Sequence, residues 1–89
     1  MKNKLKLTDK EKQLINLRDT LVEKLSELPH TKPVAEIIID TFLSVMITLN
    51  FNEDDRLKVL EDCKDYFVDG DVRDQLIYEA TAIKVNYGY

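Results

Sequence analysis

Leucine recurs at positions 14, 17, 21, 25 and 28, at spacings of three and four, with Val22 beside the row. That spacing lays one apolar stripe along an α-helix. Ahead of it, Thr8-Asp9-Lys10-Glu11 reads as a capping box, in which the Thr hydroxyl accepts from the third helical N–H and the Glu reaches back. Pro29 ends the stretch, because the residue before a proline avoids the helical region. A first helix is therefore predicted over 8–28. His30-Thr31-Lys32 makes a short connection, and Pro33 suits the first turn of a second helix over 33–49. This second segment is apolar nearly all round. Its polar residues Glu36, Asp40, Ser44 and Thr48 recur at every fourth position and collect into one narrow stripe. The Ile, Val and Thr content also suits strands, but the stripe and the length favour a helix. A helix apolar over most of its girth needs neighbours around it, so it is placed at the centre of the fold.

Asn50 and Asn52, followed by Glu53, Asp54 and Asp55, set side-chain acceptors and negative charge at a helix N-terminus. Leu57, Leu60, Cys63 and Phe67 then mark the inner face of a third helix over 52–69, with Gly70 as the left-handed residue that stops it. Asp71 and Asp74 open a fourth helix over 72–85, whose inward positions are Val72, Leu76, Ala80 and Ile83. The tail KVNYGY alternates apolar and polar residues, a pattern open to a short strand or an ordered extension. Connections of two to five residues join neighbours antiparallel. The predicted fold is all-α: a small antiparallel four-helix bundle with a central, mostly apolar second helix. Residues 1–7 form a flexible basic arm and 8–89 a single helical domain.

Length and composition limit what such a bundle can do. At 89 residues, of which 44% are apolar and 34% charged, there is room for one domain and none for a deep enclosed pocket. The net charge of −4 is uneven: residues 1–44 carry a net +1 and residues 45–89 a net −5. Direct binding to nucleic acid needs a basic footprint. The only cluster of lysines, at 2, 4, 6, 10 and 12, is interrupted by Asp9 and Glu11. Cys63 stands alone, so no disulfide forms within the chain. No apolar run follows the basic start MKNKLKL, and the stretch from Val34 to Leu49 is broken by Glu36, Asp40 and Ser44. A soluble, cytoplasmic protein with no membrane association is expected.

Two familiar arrangements fail on their own chemistry. The stretch from Asp65 to Leu76 has Gly70 at the sixth position of a calcium loop, but Phe67 stands at the third and Leu76 replaces the glutamate at the twelfth. Read as a helix-turn-helix, the same corner opens its recognition helix with Asp71 and Asp74, which phosphates repel. Two surfaces carry more weight. Asp54, Glu61 and Asp65 line one face of the third helix and suit a partner protein with a basic surface. Ile37, Ile39, Leu43 and Ile47 lie on the over-apolar second helix and are candidates for packing across a two-fold axis in a homodimer.

One constellation suggests a metal. In an antiparallel hairpin joined at 29–32, Glu27 comes level with Glu36 and Glu23 with Asp40. Four facing carboxylates need a counter-charge, and Mg²⁺ prefers such oxygen ligands. The arrangement resembles the metal site of the all-α, MazG-like nucleoside-triphosphate pyrophosphatases, whose consecutive helices carry E-E-x-x-E and then E-x-x-x-D. Glu23-Lys24-Leu25-Ser26-Glu27 matches the first motif at its outer glutamates, with Lys24 at the second, and Glu36 to Asp40 matches the other. The resemblance implies Mg²⁺ as cofactor and release of pyrophosphate from a nucleotide. The expectation drawn from the residues themselves is a small, non-catalytic protein–protein interaction module without a cofactor, acting as a regulator, inhibitor or adaptor and self-associating. The Mg²⁺-dependent enzyme is the alternative.

Overall fold

In a computed structural model, which describes residues 7–68 and 70–86, the chain folds into four helices. They are α1 (Asp9–Glu27), α2 (Lys32–Thr48), α3 (Glu53–Lys64) and α4 (Asp71–Asn86), with no strand among the described residues. The expected basic arm lies outside the described residues except for Leu7, and so does the end of the KVNYGY tail, whose earlier part continues α4.

Helices α1 and α3 start where side chains satisfy their free N–H groups, whereas α2 has no side-chain cap and opens on Pro33. The Thr8 hydroxyl accepts from the Glu11 N–H at 3.1 Å, and the Glu11 carboxylate accepts from the Thr8 N–H at 2.8 Å. This reciprocal pair is the capping box. The accepted Thr8 N–H also holds the Glu11 carboxyl below its ordinary range. Asn52 and Asp55 repeat the device at α3, at 2.9 and 3.2 Å. Asn50 does something else. It takes a φ of +67°, and the Asn50 and Phe51 N–H groups reach back to the Ile47 and Met46 carbonyls at 2.9 Å each. This is a Schellman stop for α2 with asparagine as the left-handed residue, and it drives Phe51 into the core beside Met46.

The third helix is shorter than its apolar spacing predicts. It stops at Lys64, and Arg73 from α4 donates to the carbonyls of Lys64 at 2.8 Å and Phe67 at 3.0 Å. A guanidinium thus satisfies carbonyls that continued helix would have bonded. Gly70 does not end α3 but opens α4: its carbonyl accepts the first helical bond from the Asp74 N–H at 3.0 Å, and its φ is +127°. That angle is one only glycine adopts easily.

Both α1 and α4 pack against α2 and α3, and the α3–α4 contact is the most extensive. Successive helices reverse direction, so α1 and α3 lie side by side with their N-termini together. Lys10 pairs with Asp55 at 2.9 Å near that end, and the Cys63 thiol meets the Arg18 carbonyl at 3.7 Å farther along. The core is one cluster, in which Leu21, Leu25, Ile39, Met46, Leu60, Cys63 and Leu76 are almost wholly buried. The polar stripe of α2 is exposed at all four positions, Glu36, Asp40, Ser44 and Thr48. The α2 helix is not sheathed all round, however: Ile37, Val45, Ile47 and Leu49 are exposed.

Candidate functional site

Between α1 and α2 runs an apolar groove of about 410 Å³. Its walls are Gln13, Asn16, Leu17 and Thr20 from α1 and Thr41, Phe42, Val45 and Leu49 from α2. None of these eight side chains carries a charge, in a chain where 34% of residues do. The edge of the groove follows from helix geometry: Ile37, Thr41, Val45 and Leu49 are four apart and form one outward row. Ile37, Val45 and Leu49 in that row are 66%, 43% and 54% exposed. The hydroxyls nearby are already occupied. Thr41 donates to the Ile37 carbonyl at 2.8 Å and Thr48 to the Ser44 carbonyl at 3.0 Å. Thr41 thus turns its donor back into the helix, while Gln13, Asn16 and Thr20 keep polar groups on the α1 wall.

The homodimer surface expected from the sequence is rearranged accordingly. Ile39 is fully buried, because it stands on the same face of α2 as Ala35 and Met46 and forms part of the core. Leu43 is half-buried against that core. Ile37 and Ile47 are exposed, but they fall on different flanks of the helix. Sequence reasoning missed Thr41, Val45 and Leu49 as partners of Ile37, although their four-residue spacing was available as a signal.

The opposite flank of α2 is acidic. Glu36 and Asp40 turn towards α4, where Lys32, Glu36, Asp71, Asp74, Gln75 and Tyr78 border a groove of about 430 Å³. Burial pushes the Glu79 carboxyl above its usual range, and the charge of Asp40, a hydrogen bond with it and the charge of Glu36 push the same way. Gln75, itself buried, opposes them by donating to Glu79 at 3.1 Å. Glu23 and Glu27 are exposed on α1 and take no part. Among the described residues no group of three His, Cys, Asp or Glu side chains could hold a metal ion, so the four carboxylates Glu23, Glu27, Glu36 and Asp40 do not form the expected Mg²⁺ site. The antiparallel hairpin is present, but α2 is rotated about its axis. Phe42 and Val45 face α1, while Glu36 and Asp40 face α4.

On α3, Asp54 and Asp65 are exposed as expected, but Glu61 is half-buried. Its carboxylate pairs with Lys84 of α4 at 3.2 Å and with Lys64 at 3.8 Å. One of the three carboxylates expected to meet a partner is thus answered within the chain. Cys63 offers no reactive thiol, since burial pushes it up to about 12. His30 is exposed in its loop and meets the Phe67 ring edge-to-face at 6.1 Å, which ties the α1–α2 loop to the α3–α4 loop. No helix among the described residues is long and apolar enough to cross a membrane. No protein-family model, curated protein or solved structure matches this chain.

Proposed function

We propose that the chain is a small, non-catalytic interaction module that binds protein through the uncharged α1–α2 face. The observation that carries this reading is the groove beside the exposed row of Ile37, Val45 and Leu49. Depletion of charge around apolar side chains marks the centre of a protein–protein interface more reliably than bulk hydrophobicity does. The acidic face of α3, where Asp54 and Asp65 stay exposed, is a secondary contact for a basic patch. Nucleic acid is disfavoured by the net charge of −4. A cytoplasmic setting belongs to the same reading, because a lone buried cysteine is at home where thiols stay reduced. A role as regulator or adaptor follows from binding without chemistry.

The test is capture from the native cells at physiological salt, with wild-type bait beside a Val45→Glu/Leu49→Glu double variant. The expected result is a stoichiometric protein retained by the wild type and lost with the variant. Identical sets of retained proteins overturn the reading.

A further inference from the structure

We draw no further inference here: the strongest candidate, the uncharged apolar groove between α1 and α2 beside Val45 and Leu49, belongs to the site already described, and nothing in the structure shows what covers it.

Discussion

Glu79 sits where α4 meets the acidic flank of α2, and its carboxyl is raised chiefly by burial and then by Asp40. In the unfolded chain the group returns to its ordinary value, so between the two values the folded state holds more protons. Stability from this residue therefore grows as pH falls through the raised value and is absent once Glu79 ionises. Glu79→Gln should raise the urea midpoint at pH 7 and flatten the gain seen on mild acidification of the wild type. A variant whose midpoint follows pH as the wild type does would show that Glu79 is not the group responsible. Arg73 is a cation that donates to the carbonyl of the last α3 residue, Lys64, and to that of Phe67 beyond it. Neither residue could be singled out from the sequence, because each acts on an element remote from its own helix. Both are visible only once α3 and α4 are packed.

At the level of the helices, starts were legible and stops were less so. Thr8 and Glu11 sit three apart before an apolar stripe, and a capping box depends on nothing beyond those residues. Asn52 and Asp55 form the same box, so Asn52→Ala should cost about 1 kcal/mol of stability, read from the shift in denaturation midpoint. A cost near zero would mean that water serves the α3 N-terminus equally well. The stop at Lys64 was missed because Leu57, Leu60 and Phe67 continue a helical period, and the period cannot report that Phe67 reaches the core from a turn. By sequence Asn50 reads as part of the start of α3, yet it ends α2. An asparagine between two helices serves either purpose, and only its φ of +67° separates them. The rotation of α2 was equally hidden. Its apolar residues nearly encircle the axis, so the pattern named a core helix without choosing which side faces α1. The expected metal site and dimer patch both turn on that one undetermined angle.

Across the whole molecule, the core gathers on Ile39, Met46, Leu60 and Leu76, while Phe42 lines the outer groove and is only half-buried. Ile39→Ala should cost about 2–5 kcal/mol, the range for emptying a tightly packed site, and more than Phe42→Ala. Thermal unfolding of the two variants side by side gives the order, and a larger loss at Phe42 would mean that the groove is better filled than its shape indicates. The bundle itself was the most legible feature, since four helical segments with short links leave few ways to bury their stripes. Cys63 turns that burial into a clock. Its thiol is shielded on every side and held protonated by burial, so an alkylating reagent reaches it only during moments when α3 parts from its neighbours. The rate of labelling in the untouched native chain therefore counts openings of the bundle, with no probe added and no denaturant present.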